Sequence, residues 1–85
     1  MILRISVSSD GPINIVSVEG SLKATGVRDL QRECRSIGSP LRLDLSGLLS
    51  VDEVAIEAIR KLQAQGAEIV DPSPYIEQML GEKES

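Results

Sequence analysis

The residues best suited to chemistry are three acids close together in the chain, Asp52, Glu53 and Glu57. Paired carboxylates run acid–base reactions when their surroundings drive the two pKa values apart. The rest of such a site is missing. The chain has no His, the commonest general base and transition-metal ligand. Its one cysteine, Cys34, falls on an apolar stripe with Val27, Leu30 and Ile37, which predicts a buried, inert thiol. Arg32 and Arg35 are the only nearby groups that could favour a thiolate. A structural task accounts for the acids better: carboxylates in a first helical turn meet unsatisfied N–H groups and the positive end of the helix dipole. Ser50-Val51-Asp52-Glu53 fits a capping box with Ser50 as N-cap and Glu53 reaching back. Asp52 as N-cap fits equally well.

Other candidates reduce in the same way. Gly20, Gly26 and Gly47 read as turn glycines, because no phosphate-binding glycine spacing is present. Asp44 and Glu68 occupy alternating polar positions in strands and are expected at solvent or an edge, not around a metal. Arg28, Arg32 and Arg35 recur at helical spacing and could hold a phosphate or an acidic partner. Asp29 and Glu33 interrupt them, which favours a solvated helix face. No enzyme, cofactor or metal is expected.

Composition narrows the class further. Eighty-five residues suggest one domain with a modest core. Tyr75 is the only aromatic residue, so base-stacking platforms are absent. Thirteen acids against nine bases give a net charge of −4, the wrong sign for a nucleic-acid binder. A lone Cys fits a reducing cytoplasm. Neither a signal-peptide pattern nor an apolar run of roughly 20 residues is present, so no membrane insertion is expected.

The elements that must position these residues follow from periodicity. Ile2 to Val7 and Ile13 to Glu19 alternate as strands. The turn cluster Ser8-Ser9-Asp10-Gly11-Pro12 predicts a hairpin with a loop longer than two residues. Gly20-Ser21-Leu22 breaks the second strand. Ala24 to Ser36 has helical spacing with Thr25 as its cap, and Gly38-Ser39-Pro40 ends it. Leu41 to Leu45 is a buried strand, followed by a tight loop and a helix from Val51 that stops at Gly66. Ala67 to Val70 is a short strand. Ser73 caps a final helix with Pro74 at its first position; Tyr75, Ile76, Met79 and Leu80 make its apolar side, and Gly81 ends it. The predicted class is α/β: a single domain over 1–81 with a four-stranded mixed sheet, an opening antiparallel hairpin and three helices in the order β-β-α-β-α-β-α. Residues 82–85 form a polar C-terminal tail. In such sheets, sites gather at the carboxyl ends of parallel strands. The junction between the strand at Leu41 and the helix after Val51 is such an end.

Leu43-Asp44-Leu45-Ser46-Gly47-Leu48-Leu49-Ser50-Val51-Asp52-Glu53-Val54-Ala55-Ile56 resembles the signature of the STAS domain family, the sulfate transporter and anti-sigma factor antagonist family. Gly66-Ala67-Glu68-Ile69-Val70, Ser73-Pro74 and the final helix extend the resemblance over Ile13 to Leu80. It implies a non-enzymatic regulator that binds a protein partner: an anti-sigma factor that is also a serine kinase. Other members are small subunits of ABC-type lipid transport complexes, whose partner is the ATPase. A small-ligand or nucleotide sensor using the same strand ends is a further alternative. Asp52 matches the family Asp. Glu53 and Val54 stand where the family places phosphorylatable hydroxyls, and Ala55 stands for its Gly, so the resemblance implies a lost phospho-switch. The partner-binding residues expected on this basis are Ser21, Leu48, Leu49, Ser50, Asp52, Glu53, Val54 and Glu57. Glu53 is expected either to act as a fixed counterpart of phosphoserine or to serve as a helix cap.

Overall fold

Two strands open the fold, β1 (Leu3–Asp10) and β2 (Ile13–Leu22), paired antiparallel from Leu3↔Gly20 to Asp10↔Ile13. The computed structural model describes residues 3–38 and 40–82. The hairpin loop is shorter than its sequence suggests. Gly11, at φ +63°, takes a left-handed conformation, and the chain reverses through Gly11-Pro12 alone. Ser8, Ser9 and Asp10 therefore belong to β1 despite their turn-forming character.

The remaining elements are α1 (Ala24–Ile37), β3 (Leu41–Asp44), β4 (Leu48–Val51), α2 (Glu53–Ala64), β5 (Glu68–Val70) and α3 (Pro74–Glu82). A small α/β domain with a mixed sheet and three helices is thus confirmed, with one strand more than expected. Leu48 to Ser50, read as loop in the sequence, and Val51, read as the start of the second helix, form β4, and α2 begins only at Glu53. The partner of β4 is the end of β2, which does not stop at Gly20: a register shift between Gly20 and Ser21 carries the strand on to Leu22. Gly20 permits this because its φ of +91° suits glycine. The strand order is β1-β2-β3-β5, with β4 also parallel to β2.

β3 and β4 share one side of β2, one following the other. Val16 pairs with Leu43 and Leu22 with Val51. The Ser46-Gly47 turn separates them, fixed by Ser46 N–H donating to Asp44 Oδ1 at 3.0 Å and Gly20 N–H to the Gly47 carbonyl at 2.9 Å. Asp44 thus has a turn-forming role, and Glu68 pairs with Arg42 at 3.1 Å across the β3–β5 ladder.

Alternation decides which face of the sheet the helices cover. Val16, Val18 and Leu43 are fully buried beneath them, while Ile15, Ser17 and Asp44 on the other face stay partly accessible. Leu30 of α1, Ile59 of α2 and Ile76 of α3 close the same core. Each fully buried side chain of this size contributes about 1.5–3 kcal/mol relative to exposure. Gly26 lies in α1 rather than in a turn. A Cβ there would stand 2.4 Å from Leu3 Cδ2, so its missing side chain lets α1 sit close to β1.

The last helix begins as predicted. Ser73 Oγ accepts the Ile76 N–H at 3.3 Å, and Pro74 takes the first position. Gly81 does not end it, since α3 continues to Glu82. Tyr75, assigned to the apolar side, is half exposed, and Ile76 carries the packing. The polar tail expected at 82–85 lies outside the described residues apart from Glu82. Ile2, placed in the first strand, also lies outside them. Among the described residues, no helix is long and apolar enough to cross a membrane.

Candidate functional site

The β4–α2 junction is built on Asp52. The residue is extended, at φ −102°, and precedes the first residue of α2, the geometry of an N-cap. Its Oδ1 accepts the Ala55 N–H at 2.9 Å. Its Oδ2 accepts the Ala24 N–H, also at 2.9 Å. Ala24 is the first residue of α1. One carboxylate therefore caps two helices, tying their N-termini together above the ends of β2 and β4.

This resolves the capping question that the sequence left open. Asp52 is the N-cap of α2; the Ser50–Glu53 capping box does not form. Thr25 does not cap α1, which begins one residue earlier with Lys23 at the cap position and no side-chain cap of its own. The missing cap comes from Asp52, 28 residues further along the chain than Ala24 and adjacent to it only in the fold. The N–H of Ala55 and then that of Ala24 hold the Asp52 carboxyl below the ordinary aspartate range, because both bonds favour the ionised form.

Freed from capping, Ser50 turns to the neighbouring strand. Its Oγ lies 2.8 Å from Ser21 Oγ. Ser21 is the one buried polar residue among those described. The hydroxyl pair forms part of an open depression also lined by Lys23, Thr25 and Asp29. Lys23 was not singled out in the sequence. Its position between a strand end and a helix start was the available signal.

The other expected site residues divide into three groups. Leu49 is 71 % exposed and Val54 is 52 % exposed, one on each side of Asp52. Glu53 is exposed at the first position of α2, and among the described residues its carboxylate has no hydrogen bond or ion pair. Leu48, expected at a partner surface, is instead a core residue at 1 % exposure, because β4 turns that side chain beneath the sheet.

Glu57 is engaged within the fold. Its Oε2 lies 2.8 Å from Arg60 Nη1. Arg60 in turn donates from Nε to the Leu80 carbonyl at 3.1 Å and from Nη2 to the Met79 carbonyl. The guanidinium thus satisfies carbonyls at the end of α3, which no intrahelical donor can reach. Arg60 was missed in the sequence, although its spacing from Glu57 was a readable signal for a helical ion pair.

The remaining candidates stay structural. Cys34 is buried, and desolvation, followed by the charge of Glu33, pushes its thiol up from the ordinary value. No thiolate is stabilised there. Asp29 and Arg32 make a long contact of 3.9 Å on the exposed face of α1. Among the described residues, no cluster of three or more potential metal-binding side chains occurs.

No protein-family model matches the chain, and no curated protein matches it in sequence. Solved structures do match its shape. A crystal structure of Mglu superposes with a TM-score of 0.67 at 22 % identity, over 81 % of this chain and 20 % of that one. The chain therefore spans about a fifth of the length of Mglu. An anti-sigma-factor antagonist STAS domain from Rhodobacter sphaeroides superposes with a TM-score of 0.60 at 22 % identity, over 81 % of this chain and 84 % of that one. With about four-fifths of each chain covered and the same mixed α/β architecture, the chain has the fold of a STAS domain.

Proposed function

We propose that the chain is a non-enzymatic regulatory module that binds a protein partner through the β4–α2 junction, in the manner of an anti-sigma factor antagonist. The observation that carries this reading is the pair Leu49 and Val54. Two large aliphatic side chains stand exposed on either side of a helix start held by Asp52. Isolated exposed aliphatics need no explanation. Two on either side of a rigid cap in the chain, with the charge of Glu53 between them, offer a partner apolar anchors beside a fixed charge.

The partner on this reading is a serine kinase or anti-sigma factor. Glu53 and Val54 occupy the positions where related domains carry hydroxyls, so binding is not released by phosphorylation there. Glu53 supplies a permanent negative charge at the helix N-terminus, a position where charge is favourable. It is not consumed in capping, because Asp52 performs that task.

The test is affinity capture from the native cells with the wild-type chain and a Leu49→Ser/Val54→Ser variant. Recovery of a serine kinase or anti-sigma factor by the wild type alone supports the reading. Recovery of an ABC ATPase by the wild type alone assigns the same surface to a transport complex. Equal capture by both proteins removes the junction as the binding surface. A companion Glu53→Ser variant, incubated with a captured kinase, tests whether restoring the hydroxyl restores phosphorylation.

A further inference from the structure

The far ends of α1 and α2 enclose a cleft of about 280 Å³. Its apolar wall comes from Cys34 on α1, Ala58 and Leu62 on α2, and Leu41 at the start of β3. Three of these are buried core residues. Its charged groups are Arg35 and Lys61, accompanied by the amides of Gln31 and Gln65. No acid lines the cleft, although the chain carries thirteen acids and a net charge of −4.

Both cations lie in the last turn of their helices, where positive charge complements the dipole. That accounts for one cation per helix, but not for both lining one hollow that holds no acid. Neither has an ion pair or hydrogen bond among the described residues, whereas Arg42 and Arg60 are both paired with glutamates. Small-ligand sites combine an apolar wall with polar groups that fix orientation, and here the two kinds of surface line the cleft about equally. The volume lies at the small end of such sites, which limits the occupant to a small molecule.

We propose that this cleft binds a small organic anion, its carboxylate or phosphate head between Arg35 and Lys61 and a short hydrocarbon portion against Cys34, Ala58 and Leu62. The head would receive charge-assisted hydrogen bonds from the guanidinium and ammonium groups. The tail would cover apolar surface now open to water. The site lies at the opposite ends of the helices from the partner junction and does not depend on the function proposed for it.

Hexanoate, hexyl phosphate and hexylammonium share a tail and differ in the head, so they test the assignment by titration into the ¹⁵N-labelled chain. Hexanoate is expected to shift the amides of Gln31, Cys34, Lys61 and Gln65 saturably, with a dissociation constant of roughly 1 mM for a ligand of this size. Stronger binding of hexyl phosphate identifies a phosphate head; stronger binding of hexanoate identifies a carboxylate. An Arg35→Gln/Lys61→Gln variant, altered only at exposed positions, is expected to bind about tenfold more weakly while its spectrum keeps the native dispersion. The proposal is overturned if neither anion produces saturable shifts at those amides. Equal shifts with hexylammonium overturn it too, as does undiminished binding by the double variant.

Discussion

The two ends of the α1–α2 pair are held differently. At the N-terminal end a single carboxylate bonds both helices, and a part-buried hydroxyl pair ties the strands beneath. At the C-terminal end the same helices stand around a cleft whose cations have no partner among the described residues. The contrast teaches that one pair of helices can be locked where a surface must keep its shape and left open where there is room for an occupant. It also explains why the acids of the junction are poor catalytic candidates: Asp52 is fully used in backbone hydrogen bonds.

Core truncations give the largest test of this contrast. Leu22→Ala, at a fully buried site beside the clamp, is expected to cost about 3–5 kcal/mol, because tied surroundings cannot collapse into the cavity. Leu62→Ala, buried on the wall of the cleft, is expected to cost about 2 kcal/mol, since the open space beside it leaves its surroundings room to relax. Urea denaturation of the two variants measures the difference; equal losses would mean that the two ends are equally rigid.

Breaking the clamp itself comes next. Asp52→Ala should lower the thermal midpoint by several degrees and accelerate amide exchange at Ala24 and Ala55 together. Asp52→Asn, which keeps an acceptor oxygen for only one helix, should fall between it and the wild type. Faster exchange at Ala55 alone in Asp52→Ala would remove the shared cap.

The acid limb of stability reads the same bonds. The folded Asp52 carboxyl titrates below its unfolded value, so its contribution is present above the ordinary aspartate range near pH ~4 and is lost as pH falls through the lower folded value. Asp52→Asn should flatten stability in that acid window and leave its pH dependence near neutrality unchanged. Denaturant midpoints taken at intervals from pH 2 to pH 7 would show it.

Smaller effects complete the series. Ser21→Ala removes one partner of the hydroxyl pair and should cost about 1 kcal/mol by denaturation. Arg35→Gln/Lys61→Gln at the open end should change stability by less than about 0.5 kcal/mol, because neither side chain is bonded to the fold. A larger loss would show that these cations secure the helices.

What the sequence made legible was local. The apolar stripe of α1, the caps Ser73 and Pro74, and the alternation of β2 each depend on near neighbours, and all appear in the structure. The β-β-α-β-α-β-α order was readable for the same reason, apart from the added strand. What escaped was non-local. β4 shows no alternation of its own and exists because Gly20 lets β2 run on to meet it. The cap of α1 comes from another element, and Leu48 is drawn inward by a pairing invisible in its own segment. Leu49, Val54 and Glu53 were named from motif position, and the structure leaves them exposed around the cap. Arg60 escaped because its acceptors are the terminal carbonyls of a helix that follows it in the chain.

The two-residue turn at Gly11-Pro12 bears on time as well as shape. The β1–β2 hairpin is the only strand pairing in the described sheet that joins neighbouring strands antiparallel; each parallel pairing must wait for a helix to cross over. A hairpin forms in roughly 1–10 μs, whereas pairings across long loops must first overcome the entropy of closure. The hairpin is thus positioned to assemble first and offer the free edge of β2 as a template on which β3 and then β4 are laid. Replacing Gly11 with a β-branched residue should slow the appearance of the whole sheet, although a Cβ there would meet nothing within 4 Å.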